Sequence, residues 1–479
     1  MTAEPCDLSA VEARRLIGEK RLSPVELMDS CIARIEAVNP RVNAVVATCY
    51  ERARDEAKAA ERALARGDEL GPLHGLPMGV KDLNLTAGLR TTFGSLVHED
   101  HVPDADERMV ASLRAAGAIV VGKTNTPEFG AGANTVNKVY GATRNPFDTD
   151  RTCGGSSGGS GVAVATHMLP ICTGSDTGGS LRIPAAFNGI TAIRTTPGVV
   201  PSERRTLGLT TFNVQGPMAR DVADAALMLS AMAGYDERDP LSIRLDADDF
   251  RSIDHVDLAT LRVACSCDLG FALVDDGIRA TFESRVEALA PAFRECVQAH
   301  PPMASASRAF WLIRGVYFLA GRLEVYRAHK DLLGPNVVGN VEAGLAMSPE
   351  DIGWAFAEEA RIYRALQTFF DDVDVLICPA VAVPPFPVEQ LYCTHINGVE
   401  TSSYIQWADL TSGLTITGHP IVSIPCGLDP TGTPFGLQIV GPRKHSERFL
   451  IAVAAAIERY CAGDPALARP VPDTRALAS

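Results

Sequence analysis

The chain has 479 residues, 46% hydrophobic and 21% charged, a balance that supports a large buried core and excludes a disordered chain. Its net charge is −14, with no basic cluster long enough to neutralise a run of phosphates, so no nucleic acid is expected as partner. No apolar run reaches the roughly 20 residues that span a bilayer, and the first residues lack a basic-then-apolar secretory pattern. No membrane association and a cytoplasmic location are therefore expected.

In chain order, Ser23-Pro24-Val25-Glu26 forms a capping box with proline at the first helical position. Leu27, Cys31, Ile35 and Val38 follow at helical spacing, and Asn39-Pro40 is expected to end that helix. A second, alanine-rich helix is expected from about Glu51 to Arg66, with Gly67 as its left-handed cap. Residues 1–70 thus read as a helical region packed on the core, 71–260 as the core that carries the motifs, and 261–479 as the rest of the same domain. Eight short apolar runs read as buried strands: "LPMGVKD", "GAIVVG", "MLPICTG", "ITAIRT", "LRVACS", "DVLICPA", "PIVSIPCG" and "FGLQIVG". Helix candidates such as "RDVADAALMLSAMAG" and "IRATFESRVEALAPAF" lie between them. This alternation predicts an α/β fold, one large domain with a twisted mixed β-sheet flanked by α-helices.

Residues 301–370 hold ten of the chain's 29 aromatic residues on helical-looking sequence. They read either as a helical subdomain with its own core or as rings lining a substrate pocket. Pocket walls are expected from 130–140, 300–360 and 400–420. The twelve cysteines are scattered from Cys6 to Cys461, and the one close pair, Cys265 and Cys267, has C-x-C spacing, so they read as reduced, small apolar residues. With ten equally dispersed histidines and no H-x-x-x-H, no metal is expected.

Residues 117–124, "GAIVVGKT", fit the phosphate-loop pattern G-x-x-x-x-G-K-[ST] letter for letter. A phosphate loop needs backbone free to converge on an anion, whereas Ala118-Ile119-Val120-Val121 is stiff and prefers a buried strand. Thr124 is followed by Asn-Thr-Pro, a turn signal rather than the start of a helix. A nucleotide-binding protein using Gly117–Thr124 is therefore the outlying reading.

Two glycine-serine segments lie 24 residues apart, "CGGSSGGSG" (153–161) and "GSDTGGSLR" (174–182). A strand that breaks into glycines before a serine leaves the hydroxyl exposed and several backbone N–H groups free to point at one oxygen. Acyl transfer needs that combination, a nucleophile beside an oxyanion hole. No histidine–acid pair accompanies these segments, and His167 on the following helix reads as a packed or solvated ring. Lys81, ending an apolar strand, is the better candidate base. A lysine of pKa ~10.4 is neutral only about once in 2,500 at pH 7, so it serves only if burial lowers that value. Taken alone, Lys81 reads rather as a surface lysine at a strand end.

"GPLHGLPMGVKD", "GKTNTPEFGAG", "CGGSSGGSG" and "GSDTGGSLRIPAAFNGI" together resemble the amidase signature family. The similarity resumes in "VQGPMARDVADAALML" and "PIVSIPCGLDPTGTPFGLQIVGP". The resemblance implies a Ser-Ser-Lys triad, with Ser180 as nucleophile, Ser156 as a bridging serine after a cis peptide bond from Gly155, and Lys81 as ultimate base. It further implies oxyanion-hole N–H groups from Thr177, Gly178, Gly179 and Ser180. Gly130 is placed near the acyl chain, and Ser157 and Asp176 support the loops. The implied activity is hydrolysis of a small-molecule carboxylic amide, aryl or apolar in its acyl part, by an acyl-enzyme route without cofactor, in a homodimer. The nearest rival is the glutaminase component of a glutamyl-tRNA amidotransferase. Departures from the family pattern are Cys153, where proline is common, and Arg194, where lysine followed by proline is frequent.

Overall fold

The computed structural model describes residues 4–478. Ser23 caps the helix Pro24–Val42 with the expected capping box, its hydroxyl accepting from the Val25 N–H. That helix does not stop at Asn39-Pro40. A proline removes one intrahelical bond but has a helix-compatible φ, so the helix continues to Val42 and ends on left-handed Asn43 (φ 52°). The Asn39 carboxamide oxygen then accepts the Ala44 and Val45 N–H groups. The second helix, Tyr50–Arg66, ends on left-handed Gly67 as expected.

Eleven strands form one sheet: β1 (Val45–Thr48), β2 (Pro77–Lys81), β3 (Ile119–Thr124), β4 (Ile171–Asp176), β5 (Thr191–Arg194), β6 (Val214–Ala219), β7 (Arg262–Cys265), β8 (Glu295–Gln298), β9 (Val375–Pro379), β10 (Ile421–Leu428) and β11 (Pro434–Val440). Their spatial order is β1-β3-β2-β4-β6-β5-β10-β11-β9-β7-β8. β2 runs parallel to β3 and β4, β7 to β8 and β9, and the remaining neighbours are antiparallel. All eight predicted strands are present. β1, β6 and β8 add to them, and β1 brings an edge strand out of the region that reads as helical.

Successive strand residues point to opposite faces, and here both faces are buried. Val121 and Cys172 join one apolar cluster with Met28, Ile32 and Val162, while Val120 and Ile171 join another with Met228 and Leu229. The molecule is thus a single domain with a large mixed sheet between helical layers. The aromatic-rich segment folds as three helices, Ala306–His329, Pro335–Leu345 and Pro349–Phe369. They are not a separate subdomain: Phe310 is fully buried in the main core, stacked 5.1 Å from Phe212. Phe318 packs with Leu333, Val337 and Val341 in a satellite cluster.

Candidate active site

β2 and β4 lie side by side and parallel, so their carboxyl ends open on one edge of the sheet, where sites of α/β folds collect. Lys81 is the last residue of β2 and Asp176 the last of β4. Ser156 and Ser157 precede the helix Gly158–Ala165, after a Gly155–Ser156 peptide bond that is cis.

Lys81 is fully buried rather than at the surface. Its Nζ lies 2.8 Å from Ser156 Oγ, 2.8 Å from Ser157 Oγ and 3.0 Å from Ser175 Oγ. Burial among these neutral hydroxyls pulls the lysine pKa down to about 7, against an opposing pull from Asp176. Ser175 has no role in the sequence reading. Its signal is strand alternation: next to Asp176 at the end of β4, it presents its hydroxyl to Lys81 while Asp176 is held by other partners.

Asp176 is fully buried. Burial opposes its charge, but the Arg182 and Arg194 guanidiniums hold its carboxyl well below the usual carboxylate range. Arg182 Nε reaches Oδ2 at 3.0 Å, and Arg194 Nη1 reaches Oδ1 at 3.1 Å. The same carboxylate accepts the Gly179 N–H at 2.8 Å and the Leu181 N–H at 3.1 Å. Arg194 therefore takes part in holding the loop that carries Ser180. Sequence reasoning noted this arginine only as a departure, although a charged residue inside the apolar "ITAIRT" was a signal for a buried partner.

Among the four N–H groups expected to face an oxyanion, Gly179's is taken by Asp176, and the physical reason is the tight turn itself. Gly179 has φ +125°, and a Cβ there would meet Thr411 Oγ1 at 2.2 Å. The N–H groups of Thr177, Gly178 and Ser180 donate no hydrogen bond among the described residues, nor does the Ser180 hydroxyl. The two serine segments are joined by the Ser157 N–H, which donates to the Ser180 carbonyl at 3.2 Å. Gly130 faces the same place: a Cβ on it would lie 3.3 Å from Ser156 Oγ.

A cavity of about 600 Å³ opens here, lined by Gly130, Ser156, Ser175 and Thr177. Its walls differ from expectation. Residues 83–107 and 202–215 supply most of them, together with Arg314, Tyr317, Phe318 and Arg322, while 400–420 supply none and 130–140 only Gly130. Around 400–420 the helix Asp409–Thr415 instead lies behind the loop, where Thr411 Oγ1 donates to the Gly178 carbonyl. Rings of the aromatic segment do line the cavity, while others fill the core.

His167 stands apart from this cluster, its Nδ1 2.9 Å from Asp7 Oδ1. Six of the eight residues of the phosphate-loop match, Ile119–Thr124, are a strand buried along its whole length, and Lys123 Nζ donates to the Asn84 carbonyl and to Thr86 Oγ1. No loop is left there to cradle an anion.

Residues 26–450 match the family model described as Amidase. An acylamidase of Rhodococcus erythropolis is 34% identical over 461 residues, covering 94% of this chain and 95% of its own. The glutamyl-tRNA(Gln) amidotransferase of Anaeromyxobacter dehalogenans has an A component that is 33% identical over 490 residues, covering 98% of this chain and 99% of its own. The crystal structure of a bacterial aryl acylamidase, described as an amidase signature enzyme, superposes with a TM-score of 0.88 at 28% identity, covering 96% of each chain. The chain belongs to the amidase signature family, a class of amide C–N hydrolases.

Proposed function

We propose that the chain hydrolyses a carboxylic amide, aryl or apolar in its acyl part, through an acyl-enzyme on Ser180, with Ser156 as proton relay and Lys81 as base. The observation that carries this reading is the buried Lys81 amine, 2.8 Å from Ser156 Oγ, whose hydrogen bonds among the described residues are all to serines. A neutral amine has two N–H donors and one lone pair. Ser157 Oγ donates to the Ser175 carbonyl and accepts the Ser175 N–H, both at 3.3 Å, so it meets Lys81 as an acceptor. The two amine protons go to Ser157 and Ser175, and the lone pair is left for the Ser156 proton.

In this mechanism Ser180 Oγ attacks the amide carbon as its proton passes through Ser156 to Lys81. The free N–H groups of Thr177, Gly178 and Ser180 receive the oxyanion, and Gly179 acts through Asp176 to hold their turn. The proton returns through Ser156 to the leaving nitrogen. Water then cleaves the ester to give the acid, and the net reaction is amide plus water to acid plus amine or ammonia. No step calls on a cofactor.

Labelling with a fluorophosphonate followed by mass spectrometry tests the assignment directly. The expected adduct sits on Ser180, and Ser180→Ala abolishes both labelling and turnover. Full activity in that variant refutes the role. The similarity to the amidotransferase component supports a second reading, a glutaminase that works with partner proteins. Hydrolysis of simple aryl amides by the isolated chain, with no activity on glutamine, supports the first reading over the second.

A further inference from the structure

One wall of the cavity carries positive charge without acid to balance it. Arg322, on the helix Ala306–His329, lies with its guanidinium 4.5 Å from the centre of the Phe129 ring. Its Nη1 donates to the Gly321 carbonyl at 2.6 Å, while Nε and Nη2 donate to nothing among the described residues. Those two nitrogens form the edge of a guanidinium that pairs with a carboxylate through two parallel hydrogen bonds.

No carboxylate pairs with it among the described residues, and its charged neighbour is a second arginine. Arg204 pushes against it and makes no hydrogen bond or ion pair of its own among the described residues. Burial and nearby positive groups, Arg322 among them, hold the His98 imidazole below its ordinary pKa, so that ring supplies no charge to balance the guanidinium. Two turns earlier on the same helix, buried Arg314 meets only neutral partners, Asn340 Oδ1 at 2.9 Å and the Tyr404 hydroxyl at 2.6 Å. Two acids also line the cavity. Asp104 is exposed, and Glu107 is already held by the Leu85 N–H and by the Asn84 and Gln215 carboxamides. Neither forms an ion pair with Arg322 among the described residues. A partly desolvated cation with no counter-ion is costly unless a ligand supplies the charge.

The position ties this charge to the reacting centre. Phe129, under the guanidinium, precedes Gly130, whose missing side chain leaves room next to Ser156 Oγ. Phe93, Tyr317 and Phe318 supply apolar wall in the same cavity.

From this juxtaposition we propose that the substrate is an amide that bears a carboxylate as well as an aryl or apolar body, and that Arg322 clamps this carboxylate through its Nε–Nη2 edge. Arg204 and Arg314 add to the field that favours the anion. The proposal rests on the amidase reading for its chemistry but concerns binding, so the two can fail separately. Arg322 is a specificity residue with no part in moving protons.

The test compares matched amides that differ in one charge. With the carboxylate on the acyl side the pair is 4-carbamoylbenzoate and 4-methylbenzamide; on the amine side it is 4-acetamidobenzoate and 4-methylacetanilide. In the pair whose geometry fits, wild-type kcat/KM is expected to favour the acid by roughly 10- to 100-fold, the worth of a hydrogen-bonded charge. The preference should appear mainly in KM and collapse toward unity in Arg322→Gln, with Arg322→Lys intermediate. Equal or better turnover of the neutral partner in both pairs overturns the proposal, with no variant needed. A preference that survives in a folded Arg322→Gln overturns it too.

Titration calorimetry with terephthalate separates this proposal from the amidase reading. Binding to wild type that is lost in Arg322→Gln supports the carboxylate site even if no amide is turned over. Absence of binding to wild type, where neither acid of the two pairs is preferred, sinks it.

Discussion

In the proposed mechanism Lys81 ties catalysis and stability to one proton. Burial brings its pKa from 10.5 to about 7, so the fraction of neutral amine rises tenfold per pH unit below 7 and levels above it. The expected kcat/KM profile climbs with slope one to a plateau that begins near neutrality. A rate that falls steadily from pH 6 to pH 9 contradicts the assignment. The same shift sets a stability slope. Between about 7 and 10.5 the unfolded chain holds a proton on this lysine that the folded chain does not, so stability rises with pH across that window. Below 7 both states are protonated, the slope vanishes and the burial cost is at its full value. Lys81→Met removes the titrating group. Urea unfolding at pH 6.5, 8 and 9.5 should therefore show wild type gaining on the variant as pH rises, by a total on the order of a few kcal/mol. In activity, the variant should lose about 10²- to 10⁴-fold, the usual contribution of a general base.

The loop after β4 is a structural element held by charge. Asp176 joins Arg182 and Arg194 below it to the Gly179 and Leu181 N–H groups above it, all within the buried interior. Asp176→Asn leaves two buried guanidiniums facing a neutral amide, a loss of about 3–5 kcal/mol. It also loosens the turn that aims the free N–H groups. Denaturant unfolding should report the first effect, and a fall in kcat larger than the change in KM the second, because the oxyanion forms only after binding.

Much of this element was legible in the sequence. Glycines flanking a serine after an apolar strand predict a turn that exposes a hydroxyl, and the structure has that turn. Asp176 is named as a support of this loop by the resemblance, but the partners that brace it from outside were not legible, because Arg194 and Thr411 reach it across 18 and 233 residues of chain. The strands divide in the same way. Runs such as Ile119–Thr124 announce themselves by unbroken apolar content. β6 contains Gly216 and Pro217, which read locally as a turn and become strand only because β4 and β5 pair with it on both sides. β1 and β8 are four-residue edge strands, too short and too exposed to stand out from their neighbours. The walls of the cavity were the least legible part, since 83–107 and 202–215 converge only through the sheet that carries them.

At the scale of the whole molecule, the sheet decides what can be cut. Every residue of the proposed triad lies before position 260, where the motif-bearing stretch gives way to the rest of the same domain. The sheet runs across that point. β5 pairs with β10 through Ile421↔Arg194, Val422↔Ile193 and Ser423↔Ala192, so the last third of the chain continues the sheet in its middle. The same third touches the site. Gln438 Oε1 and Thr415 Oγ1 accept from Arg182, and Thr411 backs the Gly178 carbonyl. A fragment of residues 1–260 therefore loses the partner of an interior strand and two acceptors of a buried arginine, and it bares an apolar strand edge that invites aggregation. It should be insoluble or molten, and it should neither take a fluorophosphonate label on Ser180 nor hydrolyse an aryl amide. Co-expression with residues 261–479 is the informative control, because restored labelling in the pair shows that the missing sheet, and not a damaged serine, caused the loss. A soluble, labelled fragment 1–260 would mean that the site is organised by its own loops, without the strands of residues 261–479.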